Sequence, residues 1–168
     1  VPDEMPVCST EFVAGTDLRD WLAGQPGGRF TAEEIQPVLT QVGQALEISH
    51  LAGLPHGALD PDRILVTPDR GVKVTGFGLG FPAVQPTTEN ASHWFAYASP
   101  ERRAGGSAKF ADDMYSLGVI LFELVAGHLP YANGGDDVAG EEASARSLDM
   151  ALGLAPGTTG PLKRSAAE

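Results

Sequence analysis

The chain has 168 residues, 42% hydrophobic and 20% charged, proportions that suit one globular domain with a substantial core. Twenty-two acidic against eleven basic residues leave a formal net charge of -11 and a pI near 4.6. That balance excludes sequence-independent nucleic-acid binding, which runs on basic side chains against phosphates, and docking on an anionic membrane surface. The single cysteine, Cys8, excludes a disulfide framework and a multi-cysteine zinc site; it reads as a small buried apolar residue.

No basic stretch precedes an apolar run at the start of the chain. The longest apolar stretch, residues 117–125, is interrupted by Gly118 and Glu123 and is too short to span a bilayer. The expectation is a cytoplasmic chain. Residues 5–10 read as a short strand leading into 11–15, residues 17–22 as a short helical turn, and residues 25–28 as a loop. Thr31 and Glu34 have capping-box spacing. Ile35, Val38, Leu39, Val42, Ala45 and Leu46 then recur on one helical face, with Gly53 as the C-terminal cap. Pro37 conflicts with that helix. It has no N–H and costs about 3 kcal/mol in a helix interior, so the helix either begins after Thr31 or kinks at Pro37. Two β-branched runs, 64–67 and 72–75, flank Pro68-Asp69-Arg70-Gly71 in the form of a hairpin. Residues 76–99 show no periodicity and read as a functional or disordered loop. Residues 112–126 are apolar nearly all round, which places that helix at the centre of the domain, and Gly127 ends it. Further on, the Gly/Asp cluster at 134–137 has no calcium-loop spacing and reads as a solvated turn. Residues 141–154 form a weak helical pattern before a polar tail.

The residues at the joints of these elements carry more. They are His56-Gly57-Ala58-Leu59-Asp60-Pro61-Asp62-Arg63-Ile64-Leu65-Val66, Val74-Thr75-Gly76-Phe77-Gly78-Leu79, Tyr97-Ala98-Ser99-Pro100-Glu101, and Asp113-Met114-Tyr115-Ser116-Leu117-Gly118 continuing to Leu124. In this order they resemble the catalytic loop, metal-binding segment, Ala-Pro-Glu motif and central helix of a eukaryotic-type serine/threonine protein kinase. The resemblance runs over roughly residues 5–131. It implies a mainly α fold with a small β-hairpin, the large (C-terminal) lobe of a kinase. The small lobe is expected to be absent except for its last strand. Residues 1–17 would be that strand and the hinge, 18–154 the large lobe, and 155–168 a polar tail that starts the lobe's final segment. The last six residues resemble the family's Arg-Pro-Ser-Ala-Ala-Glu with its proline missing. On that reading Arg164 is the basic partner of Glu101 in a buried ion pair; the alternative is an exposed tail arginine.

Phosphoryl transfer is mostly positioning and electrostatic stabilisation, and the resemblance shows which parts are altered. Ala58 stands where the family has its base aspartate, a loss that typically removes about 10²–10⁴ in rate. Gly76 stands in place of the metal-holding aspartate, Arg63 in place of the metal-holding asparagine, and Asp60 in place of the phosphate-contacting lysine. Gly57 replaces the arginine that reads a phosphorylated activation loop, and Trp94 the threonine ahead of Ala-Pro-Glu. Asp60 or Asp62 is the nearest substitute base, and neither has the right position. A guanidinium at residue 63 repels Mg²⁺, so no metal and no cofactor is expected. It would still neutralise nucleotide phosphates, which leaves ATP binding without Mg²⁺ open; the plain alternative for Asp62 and Arg63 is a surface ion pair worth little.

The framework positions are kept. His56, Phe77 and Asp113 match residues that tie the loops to the central helix, Leu65 matches the floor under adenine, and Thr10, Glu11 and Val13 match the gatekeeper and hinge; for the apolar members plain core packing is the preferred reading. Uniform decay would not spare one group and erase the other. The expectation is a catalytically impaired kinase-like domain (a pseudokinase) acting as a binding, scaffold or regulatory module in phosphorylation signalling. Its partner would be a protein, with no nucleic acid and no membrane contact from this segment. The alternatives are an active kinase with displaced catalytic groups and a truncated fragment without independent function. In the long loop Thr87, Thr88 and Ser92 are candidate phosphorylation hydroxyls. Phe81, Trp94 and Phe95 either anchor a partner or pack back onto the lobe.

Overall fold

The computed structural model of the chain describes residues 9–78 and 91–130, the side chains of 91–93 excepted. Cys8, Phe81, Thr87, Thr88, the acidic turn at 134–137, the helix expected over 141–154 and the tail with Arg164 lie outside these residues, as does most of the strand expected over 5–10. The described part is mainly helical around one small antiparallel sheet.

The first element, β1 (Thr16–Asp17), runs straight into α1 (Leu18–Ala23). The Asp17 carboxylate caps α1 by accepting the Asp20 N–H at 2.8 Å. A short 3₁₀ turn (Pro26–Gly28) then leads to α2 (Ala32–Leu51), which starts where the capping box puts it. Thr31 Oγ1 accepts the Glu34 N–H, and Glu34 Oε2 accepts the Thr31 N–H at 2.9 Å. The later start considered for this helix does not occur: α2 runs continuously through Pro37. Pro37 and Glu33, whose carbonyl loses the i+4 donor, are both exposed, so the missing bond falls on the side of the helix open to solvent. Past the C-cap, Gly53 takes a left-handed φ of 77°.

The hairpin is present as β2 (Ile64–Val66) and β3 (Val72–Val74), with Ile64 opposite Val74 and Val66 opposite Val72. It is one strand short of the observed sheet, because β1 adds to the other edge of β2 with Thr16 opposite Val66. Gly15 makes that pairing possible, since a Cβ there would stand 2.7 Å from the Val66 carbonyl oxygen. The segment expected to be irregular from 76 to 99 ends in α3 (Ala91–Tyr97), followed by α4 (Pro100–Arg103).

The last described helix, α5 (Phe110–Ala126), closes on Gly127 at φ 78°. It is not buried all round, as its composition suggested. Met114 is 57% exposed, and its inward face mixes Val119, Ile120, Leu124 and Val125 with Asp112, Asp113 and Ser116. Val42 and Leu46 of α2 join Ile120 and Leu124 of α5 in the core, with Leu18, Leu59 and Ile64 filling the space toward the sheet. Full burial of each such side chain is worth about 1.5–3 kcal/mol. The core thus links α2, α5 and the loop between α2 and β2, and that loop carries the site.

Candidate functional site

The loop of residues 52–63 is held from below by one carboxylate. Asp113, 1% exposed in the first turn of α5, accepts the backbone N–H of His56 on Oδ2 and that of Gly57 on Oδ1, both at 2.7 Å. His50 Nε2, at the end of α2, donates to Oδ2 at 2.7 Å. Buried backbone donors need partners, and here a single side chain supplies them for two successive residues.

His56 is fully buried. Its Nδ1 accepts the Ala58 N–H at 3.3 Å, so Nε2 carries the proton and donates to the Thr75 carbonyl at 2.8 Å. Burial holds this imidazole below its ordinary pKa, although the Thr75 bond and the Asp113 charge favour the proton. Phe77 lays its ring 4.8 Å from that of His56. The structure therefore brings His56, Phe77 and Asp113 into one stack running from α5 to the segment after β3.

The upper end of the loop is different. Ala58 is buried and offers only a methyl group. Asp60 is 4% exposed and heads a 3₁₀ turn, Pro61–Arg63, without capping it through its side chain. Its Oδ2 lies 3.5 Å from Arg63 Nε, too far for a good hydrogen bond. Asp60 Oδ1 and Arg63 Nε are both buried without a hydrogen-bond partner among the described residues. Burial raises the Asp60 carboxyl above its ordinary pKa, against the pull of Arg63. Arg63 is fixed through its carbonyl, which accepts the Thr75 N–H at 2.8 Å and the Thr75 hydroxyl at 3.3 Å. This clamp places its side chain over the next residue, Gly76, at φ 82°. A Cβ on residue 76 would collide with Arg63 Nη1 and stand 3.5 Å from Cδ and Cζ.

Two positions at which the resemblance puts metal donors are thus a glycine and a cation lying across it. A guanidinium has five N–H donors and no acceptor, and Mg²⁺ requires oxygen ligands in tight octahedral geometry. Among the described residues no three His, Cys, Asp or Glu side chains converge on a common point. Neither Arg63 nor Gly76 offers a side-chain oxygen to a divalent cation.

Thr10 and Glu11 are exposed and Val13 is half-buried. Leu65 is the outward residue of β2 between buried Ile64 and Val66, directly opposite Lys73. Lys73 Nζ meets Glu11 Oε1 at 3.0 Å, so Glu11 lies over the same sheet face as Leu65. Glu101 is exposed on α4, and Arg164 lies outside the described residues.

Several interactions around the site were not anticipated, because they join residues distant in sequence. Arg19 of α1 pairs with Asp62 and lies 5.8 Å from the centre of the Tyr97 ring. Burial opposes its charge, yet Asp62 and Tyr97 outweigh that and hold its pKa above the ordinary value. The buried Tyr97 hydroxyl donates to Glu123 of α5 at 2.5 Å; burial, then that bond, raises its pKa. Arg102, 5% exposed, donates from Nη2 to the Gly57 carbonyl at 3.1 Å and lies 5.7 Å from the Trp94 ring centre. Arg103 covers Phe95 in the same way at 5.8 Å. Trp94 and Phe95 are therefore half-buried against α4. Ser99 donates to Asp112 Oδ1 at 2.5 Å and accepts the Arg102 N–H at 3.1 Å. The only sequence cue to these arginines is an Arg-Arg pair immediately after Pro100-Glu101.

Comparison with known proteins agrees with this geometry. The protein kinase domain family matches residues 3–156. The serine/threonine-protein kinase PknA of Mycobacterium tuberculosis is 39% identical over 128 residues, covering 74% of this chain and 29% of that protein. The probable serine/threonine-protein kinase PknB of Corynebacterium glutamicum is 35% identical over 133 residues, covering 76% and 20%. A probable serine/threonine-protein kinase PknB of Lactococcus lactis is 31% identical over 124 residues, covering 72% and 20%. The chain spans less than a third of the length of each of these relatives.

Proposed function

This chain belongs to the protein kinase family, and from that premise we propose that it is a catalytically impaired member working as a binding or scaffold module in phosphorylation signalling. The observation that carries the proposal is the Arg63 side chain lying across Gly76, with Ala58 at the position of the base. Base, metal and lysine functions are altered together, and such groups act as one unit. The loop that would carry them is nevertheless fixed by Asp113, His56 and Arg102, as a recognition surface requires. A net charge of -11 favours a protein partner over nucleic acid or an anionic membrane. No helix among the described residues is long and apolar enough to cross a membrane, and the proposed setting is the cytoplasm.

The test is phosphate incorporation. The full chain is incubated with γ-labelled ATP, Mg²⁺ and a serine/threonine-rich protein substrate. Label at the level of a protein-free blank is the expected result. Incorporation that grows with the amount of chain added would overturn the proposal in favour of an active kinase with displaced groups.

A further inference from the structure

In phosphoryl-transfer sites a divalent ion bridges the phosphate oxygens and neutralises their charge. Here the corner that the kinase resemblance assigns to that ion is filled from within the chain. Gly76 has no side chain, and the room above its Cα is taken by Arg63 Nη1, Cδ and Cζ. With Arg63 in this position a Cβ on residue 76 would meet Nη1, and the end of the guanidinium would have to shift. The glycine is thus the residue that admits the arginine.

The backbone of Arg63 is fixed, and its guanidinium is incompletely satisfied. Two bonds from Thr75 to the Arg63 carbonyl hold its backbone against the end of β3. Among the described residues its Nε is buried without a hydrogen-bond partner, and the Asp60 carboxylate oxygen is 3.5 Å away. The side chain as a whole keeps 30% of its surface exposed. A planar cation that never loses its proton suits phosphate oxygens. Nearby, Leu65 and the Glu11–Lys73 pair lie on the outward face of the sheet whose β3 strand ends beside Arg63.

We infer that Arg63 is the resident cation of this site, so that a nucleoside triphosphate is held here without a divalent ion and Mg²⁺ opposes its binding. The inference deepens the reading of the chain as a catalytically impaired kinase and rests on it. The buried Asp60 carboxylate faces the same guanidinium. Its Oδ2 is 3.5 Å from Nε, too far for a good hydrogen bond.

The experiment is calorimetric titration of the full chain with ATP, in EDTA and again in Mg²⁺. Binding in EDTA at least as tight as in Mg²⁺ is expected. Arg63→Gln should weaken it by about tenfold or more, the size of a lost charge-assisted contact. Arg63→Lys, which keeps the charge, should retain most of it. The double variant Arg63→Asn with Gly76→Asp should bind ATP better in Mg²⁺ than in EDTA. Circular dichroism and the midpoint of urea unfolding identify any variant that has lost its fold, and the Arg63→Lys comparison then decides. Binding that requires Mg²⁺, binding unchanged in Arg63→Gln, or no ATP binding in either buffer would each overturn the inference. Phosphate incorporation is scored separately. Absence of ATP binding leaves the catalytically impaired reading standing, whereas turnover removes that reading whatever the titration shows.

Discussion

Two buried carboxylates stand at opposite ends of one loop and are treated in opposite ways. Asp113 accepts from His56, Gly57 and His50, each at 2.7 Å. Asp60 has one oxygen with no hydrogen-bond partner among the described residues and the other 3.5 Å from Arg63. Both are at least 96% hidden from solvent, so the difference is one of partners and not of exposure. An unpaired buried polar group costs about 1–3 kcal/mol. A fold tolerates that in one corner, but not at the point where the loop is tied to the central helix. The lower end answers to stability. On the proposed reading the upper end answers to what the site binds.

The comparison is broken most severely from below. Asp113→Ala leaves two buried backbone N–H groups and the His50 donor without an acceptor. It should cost about 3–5 kcal/mol, read as a lower midpoint in urea with an unchanged slope. Asp113→Asn keeps one acceptor oxygen and should lose less. If Asp113→Ala unfolded at the parent's midpoint, the loop would be held by its apolar neighbours alone.

The next effect sharpens the upper end. Gly76→Ala meets two obstacles, a φ of 82° and the Arg63 guanidinium. Together they should cost about 2–3 kcal/mol. In an Arg63→Ala background the collision is removed and only the backbone cost of about 1 kcal/mol remains. That non-additivity is the signature of direct contact, and equal costs in the two backgrounds would show that the arginine does not lie over residue 76.

Ser99→Ala tests the far side of the lower region. It removes the donor to Asp112 and the acceptor of the Arg102 N–H. About 1–2 kcal/mol should be lost. Amide exchange should quicken at Arg102 and across α4 before it does in α2.

How much of this was legible depends on distance along the chain. The capping box at Thr31, the turn glycines Gly53 and Gly127 and the hairpin of β2 with β3 are local chemistry, and each is where the sequence places it. The stack of His56, Phe77 and Asp113 was legible only through the kinase resemblance, because 57 residues separate its members. What was missed is held by tertiary contacts. The two-residue β1 exists because it pairs with β2. The end of α3 is fixed from α5, where the Ser116 hydroxyl donates to the Tyr97 carbonyl at 2.9 Å, and its aromatics sit under arginines of α4. No 3.6-residue period announces such a helix. Pro37 misled in the other direction: the general cost of a buried missing bond was charged to a position on the exposed side of the helix.

The smallest predicted effect has the opposite sign. Burial, opposed by Arg63, holds the Asp60 carboxyl above its ordinary value of 3.8. An acid whose pKa is higher in the folded than in the unfolded chain weakens the fold when it is ionised. The penalty is fully present above the folded-state pKa and fades as pH falls to the unfolded value. Asp60→Asn should therefore raise the urea midpoint slightly at pH 7, and its advantage over the parent should shrink toward pH 4. His56 adds a separate slope. Its pKa is held below 6.5 by burial, so the unfolded chain takes up the proton first and stability falls as pH drops below about 6.5. Both proteins share that slope, and it cancels in their difference. A loss of stability in Asp60→Asn at pH 7 would mean that Arg63 depends on the carboxylate. The upper end of the loop would then be a satisfied ion pair, and the contrast with Asp113 would disappear.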